Sequence, residues 1–293
     1  MWFKNLVLYR LTQWTETAET LSRQLARQPL LPCGGGEVQR HGWLPPQNED
    51  YVHSLSPHLW ITLGTDRKLL PASVIAQQAQ IRSEEFEQQR GYKPGRKQIK
   101  DIKDGVVDEL LPRAFSVQRR THAWINPEHN WMIIDSSSSA RAEELLEVLR
   151  KGDVTFGATP LRTRLSPLHA MTEWLIHDSP PHGFTIDRDC EWRARQDERM
   201  KVRYAHHTLN SQEMRQHVQS GKDVTRLALT WAEKISFVLD DTLQLRRIAP
   251  LDILTEREAT EDNGFDADFA LMTIELTALI EDLIDALDGL DER

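Results

Sequence analysis

Phe269, Met272, Leu276, Leu279, Ile280, Leu283 and Leu287 recur at three- and four-residue steps through residues 266–287. On a helix that spacing gathers all seven on one stripe. The segment therefore predicts one long helix with its apolar side inward and its carboxylates outward, and such a stripe needs a second layer to cover it. Material for that layer precedes it. Residues 225–231, 235–239 and 243–248 read as three antiparallel strands, the second pair turning at Asp240-Asp241.

The rest of the chain repeats the alternation of strand and helix. Residues 2–11 suit an opening strand, and residues 16–27 carry Leu21 and Leu25 at helical spacing. Residues 59–63 form a β-type run between Pro57 and Gly64. Pro71 suits a helical first turn, and the polar stretch to Arg90 has Ile75, Ala79 and Phe86 on one side. After the Gly91-Tyr92-Lys93-Pro94-Gly95 break, residues 96–111 resume a helix with Ile99, Ile102, Val106, Val107, Leu110 and Leu111, making a helical hairpin with a basic tip. Two strands, 114–126 and 131–135, turn at residues 127–130. Ser138 or Ser139 then caps a helix to Lys151 with Ala142, Leu145, Leu146 and Leu149 inward. A short helix spans residues 168–176, and the charged span 187–203 is a candidate boundary. The expected class is α+β, with mixed antiparallel sheets and helices. Its parts are residues 1–70 with 112–185 as a central α+β region, 71–111 as the hairpin, and 186–293 as a C-terminal α+β region ending in the acidic helix.

With 39% apolar residues and nine tryptophans, the 293-residue chain can build a sizeable core. The N-terminal apolar stretch is short and broken by Lys4, so no signal peptide is expected. No window approaches the roughly 18 to 20 apolar residues that span a bilayer. Cys33 and Cys190 lack partners at metal-ligand spacing and read as reduced thiols. A cytoplasmic protein with no membrane partner is expected. The net charge of −9 is uneven: residues 252–293 hold fourteen acidic residues against Arg257 and Arg293, which leaves +3 on residues 1–251. An acidic segment masks a mildly basic body.

Catalytic signatures fail on spacing. Gly221-Lys222 lacks the preceding glycine and following hydroxyl of a phosphate loop, having Gln216 and Asp223 at those positions. Gly34-Gly35-Gly36 lacks the dinucleotide spacing and reads as a turn. His206-His207, if on a strand, point to opposite faces and read as surface or capping residues rather than joint metal ligands. Asp266-Ala267-Asp268 resembles half of a metal cluster, but it opens a helix, where acidic residues cap amides and favour the positive dipole end. No catalytic residue, metal or cofactor is expected. A metal-dependent nuclease built on Asp266 and Asp268 stays as a rival.

The strongest cationic concentration lies in residues 90–120, where Arg90, Lys93, Arg96, Lys97, Lys100, Lys103, Arg113, Arg119 and Arg120 stand against four carboxylates. Spaced lysines and arginines on a hairpin tip suit contact with backbone phosphates. A solvated helix face is the alternative, and charge alone does not separate the two.

Gly91-Tyr92-Lys93-Pro94-Gly95-Arg96-Lys97 and Leu110-Leu111-Pro112-Arg113-Ala114-Phe115-Ser116 resemble the RdgC family of recombination-associated proteins. So do Trp2-Phe3-Lys4-Asn5-Leu6, Gly42-Trp43-Leu44-Pro45-Pro46, Leu69-Leu70-Pro71, Thr172-Glu173-Trp174, Leu227-Ala228-Leu229-Thr230-Trp231 and Phe265-Asp266-Ala267-Asp268-Phe269, all in order; the span 187–207 matches least. The resemblance implies an elongated, curved protomer closing by two contacts into a ring-shaped homodimer, with duplex DNA passing through a positively lined hole and no catalysis. It further implies a nucleoid-associated role that limits access of RecA recombinase to DNA. Carried onto this chain, Lys93, Arg96, Lys97, Lys100 and Arg113 are the DNA-binding residues, with Arg119 and Arg120 on the following strand. Phe115 is a dimer-interface residue, or else an ordinary core residue of its strand. The competing expectation is a protein-binding scaffold acting on the recombinase through the acidic C-terminal helix.

Overall fold

Strand β1, Asn5–Thr12, is buried on both sides. Because strand side chains alternate, Leu6 and Leu8 enter one core cluster while Val7, Tyr9 and Leu11 enter a second. A strand with two apolar faces belongs mid-sheet with layers above and below, and β1 occupies that place in the computed structural model, which describes residues 2–47, 49–197, 199–254 and 264–291.

The strands that follow are β2 (Gln39–Leu44), β3 (Val52–Leu55), β4 (His58–Lys68), β5 (Ser116–Asn126), β6 (Trp131–Asp135), β7 (Gly157–Pro160), β8 (Phe184–Ala194), β9 (Lys201–Tyr204), β10 (Lys222–Trp231), β11 (Ile235–Asp240) and β12 (Leu245–Pro250). They join β1 in one 12-stranded sheet, ordered β2-β4-β5-β6-β1-β12-β11-β10-β8-β9, with β3 against β4 and β7 against β1. Each named pair is antiparallel. The expected α+β class holds, with one large antiparallel sheet in place of several.

Helices α1 (Ala18–Leu25) and α4 (Ser139–Lys151) supply Leu21, Leu25, Ala142, Leu145, Leu146 and Leu149 to the cluster on the Val7 face. On the Leu6 face lie α5 (Pro167–His177), α6 (Ser211–Gln219) and the long α7 (Phe265–Ala286). All seven apolar residues predicted inward on α7 are buried, and each Leu or Ile stabilises the layer by about 2 kcal/mol. Helices α2 (Ala72–Arg90) and α3 (Arg96–Leu110) form the predicted hairpin.

The structure corrects several local expectations. The carboxylates of α7 do not all face outward: Glu275 is buried against Lys234, whereas Asp282, which accepts the Trp231 indole N–H at 2.7 Å, is exposed as expected. Pro71 stands at the N-cap of α2 rather than in its first turn. Ser138 holds the N-cap position of α4, but its hydroxyl makes no capping bond. Gly264 caps α7, leaving Asp266 and Asp268 in the first turn, where their charge meets the positive dipole end. The charged span 187–203 is largely β8 and β9. Cys33 and Cys190 are free thiols, as read from the sequence.

Gly42 on β2 shows why that edge strand needs glycine. A Cβ there would lie 2.5 Å from the backbone of Leu30, whose N–H donates to the Trp43 carbonyl at 3.0 Å. The two backbones approach too closely for any side chain.

Candidate nucleic-acid interface

Only Ala79 of α2 and Val106 of α3 are fully buried. The hairpin is thus held mostly by its own two helices, through the Arg82–Glu109 ion pair and the edge-to-face packing of Phe86 on Tyr92 at 5.6 Å. Gly91 ends α2 in the left-handed region at φ 76°, which permits the sharp reversal. At 1.5 Å per residue, the 19 residues of α2 carry the tip about 28 Å from its root.

That tip presents Lys93, Arg96, Lys97 and Lys100, all exposed. On α3 the steps of four and three residues align Arg96, Lys100 and Lys103 in one row. Lys97 shares its side with Asp101 and Asp104 instead, so its charge is partly offset. Among the described residues these lysines and Arg96 make no ion pair or side-chain hydrogen bond, nor do Arg113, Arg119 and Arg120. Several unpaired cations within one short segment leave their donors open to an anionic ligand, which distinguishes this tip from a face laced by internal salt bridges.

At the root of the hairpin the chain is stitched back to the sheet. The Leu69 N–H donates to the Phe115 carbonyl at 2.7 Å, and Lys68 Nζ donates to the Ala114 carbonyl at 3.1 Å. Phe115 is 86% exposed, which overturns the alternative of a core strand residue. Leu69 and Val117 beside it are also exposed, so an apolar patch sits next to Arg113.

Register divides the two remaining arginines. Arg119 pairs with Thr65 and Arg120 with Gly64, so their side chains leave opposite faces of the sheet. Arg119 helps line a cavity of about 400 Å³ with Arg67, Arg141, Leu69 and Val117. Arg67 and Arg141 were not expected at the site, because their neighbours in sequence form no basic cluster. Arg120 lies on the face of His122, whose pKa is lowered to about 4, mainly by burial and further by the Arg120 charge. The His122 Nδ1 accepts the Trp60 indole N–H at 3.2 Å and stands 3.0 Å from the Thr62 hydroxyl.

The other sequence candidates fall elsewhere. His206 and His207 follow β9 rather than lying on a strand, and His206 has φ 52° with its N–H donated to Asp189 at 2.8 Å. Asp266 stands 3.1 Å from His53, pinning the start of α7 to β3. Among the described residues no group of three or more His, Cys, Asp or Glu could hold a metal ion, and no helix is long and apolar enough to cross a membrane.

A family model described as "Putative exonuclease, RdgC" matches residues 1–290. The chain is similar to the "Recombination-associated protein RdgC" of Janthinobacterium sp. (strain Marseille), 47% identical over 299 residues and covering 100% of both chains. It is 45% identical to the same-named protein of Herminiimonas arsenicoxydans, over 99% of this chain and 98% of that one. Against the Bordetella pertussis (strain Tohama I) protein the identity is 43%, over 99% of each.

Proposed function

The chain belongs to the RdgC family, and from that premise we propose that it binds duplex DNA through backbone phosphates without reading bases. The supporting observation is the hairpin tip, where Lys93, Arg96, Lys97 and Lys100 are exposed and unpaired among the described residues. Guanidinium and ammonium groups so placed neutralise phosphates and release counterions, which gives affinity without sequence information. Arg113 adds a cation at the hairpin root. Arg119 and Arg120, on opposite faces, serve different surfaces.

In this reading the protein acts as a ring-shaped homodimer that encircles DNA, and the exposed Phe115 with Leu69 and Val117 forms one of the closing contacts. An apolar patch of this kind is worth covering in water. The three-part organisation into central region, hairpin and C-terminal region belongs to the same proposal. So does a nucleoid-associated, cytoplasmic role that restrains RecA-dependent recombination without catalysis. Affinity for random duplex DNA over a salt series tests it: a linear fall in log affinity with log salt, alike for all sequences, supports phosphate contact, and no binding at low salt refutes it.

The scaffold alternative would place recombinase on α7. Most of that helix is committed to the core, but Glu281, Asp282 and Asp285 are exposed. A pull-down of recombinase that persists after nuclease treatment would favour it. The nuclease alternative draws on the family model's printed description. It predicts metal-dependent DNA degradation lost on Asp268→Ala.

A further inference from the structure

Strand β12 carries one residue more than its partner. Val238 pairs with Arg246 and Ser236 with Ala249, so three steps on β12 oppose two on β11. The extra residue is Arg247, a non-glycine held at φ 54°. In regular alternation Leu245 and Arg247 would share one face and Arg246 and Ile248 the other. Instead Leu245 and Ile248 both enter the core, while Arg246 and Arg247 both line depressions on the opposite face. A left-handed backbone at a side chain this large is held against its intrinsic preference, and such bulges commonly serve to re-aim a side chain.

The face that receives these arginines is open to solvent: Arg226 is exposed, and Thr230, Ser236 and Val238 are half-buried on it and belong to neither core cluster. A second irregularity, between Leu227 and Leu229 of β10, inserts extra residues into β8 around Arg188, which reaches the same face. Two adjoining depressions sharing Arg247 result, the larger of about 480 Å³. Their cations are Arg188, Arg203, Arg226, Arg246 and Arg247.

Some of these cations are already engaged. Arg246 is bound to Asp240 at 2.7 Å and to the Ser137 carbonyl at 2.8 Å. Arg226 stands 3.5 Å from Glu191, which Lys201 also approaches at 3.5 Å. Two further carboxylates line the depressions: Asp189, which accepts the His206 N–H, and Asp187, which accepts the Thr230 hydroxyl. Arg188, Arg203 and Arg247 make no side-chain ion pair among the described residues.

The face lies on the same side of the sheet as Arg119, with helices α1 and α4 packed on the strands between them. Asn5, on the Val7 side of β1, pairs with Arg246, and Arg119 shares its side with the residues of β4 and β5 that pack in the same cluster. From β5 to β9 the sheet order counts seven strand-to-strand steps. At roughly 4.8 Å each they span about 34 Å, close to one turn of duplex DNA.

We propose that this uncovered face, with Arg247, Arg203 and Arg188 as its free donors, is a second phosphate-binding surface that follows the backbone of the same duplex. It rests on the DNA-binding reading but uses residues remote from the hairpin, so the two can fail separately. Arg247→Gly removes the guanidinium while suiting the left-handed backbone, so the bulge and the fold persist, as a thermal melt will show. Combined with Arg203→Ala it removes two contacts. The salt slope for random duplex DNA is then expected to shrink by about 1.8 in magnitude for each protomer bound, for every sequence alike. If the double variant does not fold, Arg247→Gly alone is expected to shrink it by about 0.9 for each protomer bound.

An unchanged slope in these variants, with a reduced slope in an Arg96→Glu, Lys97→Glu protein, overturns this inference and leaves the hairpin reading standing. No duplex binding by the unaltered protein overturns both. Tight uptake of inorganic pyrophosphate at constant ionic strength, lost in Arg247→Gly, assigns the face to a free phosphate ligand and overturns the duplex assignment.

Discussion

Lys234 Nζ donates to both carboxylate oxygens of Glu275, at 2.9 Å each, and so ties the β10–β11 turn to the middle of α7. Glu275 is 7% exposed on a helix face otherwise filled by Met272, Leu276 and Leu279. A carboxylate there is tolerable because its charge is met by an ammonium that still reaches water.

Lys234→Met should therefore leave a buried carboxylate unpaired and destabilise the fold by about 2 to 3 kcal/mol, toward the lower end for broken buried pairs because Lys234 is partly exposed. Chemical denaturation measures this. The double variant Lys234→Met, Glu275→Leu should recover most of the loss, since no buried charge remains.

At the hairpin tip, Arg96→Glu with Lys97→Glu should weaken binding to all duplex sequences by a common factor and lower the salt slope. Thermal stability should change by less than about 0.5 kcal/mol, because both side chains are exposed. Loss of affinity for one sequence alone would indicate base readout and contradict the phosphate reading.

Phe115→Ser tests the closing contact. With the ring 86% exposed in the protomer, its removal should leave the protomer's melt nearly unchanged. Sedimentation at micromolar concentration should show the monomer fraction rising at least several-fold. A dimer as stable as the unaltered one would remove Phe115 from the interface.

Burial holds the His122 pKa near 4, so the folded protein keeps this imidazole neutral while the unfolded chain protonates it near 6.5. The unfolded state binds more protons between those values, so this residue's stabilisation is present above about pH 6.5 and is lost as pH falls toward 4. His122→Asn should flatten the measured fall in stability over that interval by about 3 kcal/mol. An unaltered pH profile would place the titrating group elsewhere.

Local periodicity and charge were enough to read the hairpin, the helices at 139–151, 167–177 and 265–286, strands β1, β5, β6 and β10–β12, and the cationic tip with its cluster of lysines and Arg96. These depend on contacts between residues near one another in the chain, where a repeat of two or of 3.6 states which side is buried. The tertiary structure alone decided β2, β3, β8 and β9. Only Gly42 and Trp43 of β2 are buried, and extra residues at 187–189 break the alternation of β8, so neither shows a steady period. Backbone pairing with distant strands makes them strands, whatever their side chains. The exposure of Phe115, the burial of Glu275 and the turning of Arg247 onto an uncovered face were settled in the same way. Each depends on what a remote segment covers, and a one-residue bulge can change that without leaving a pattern in the sequence.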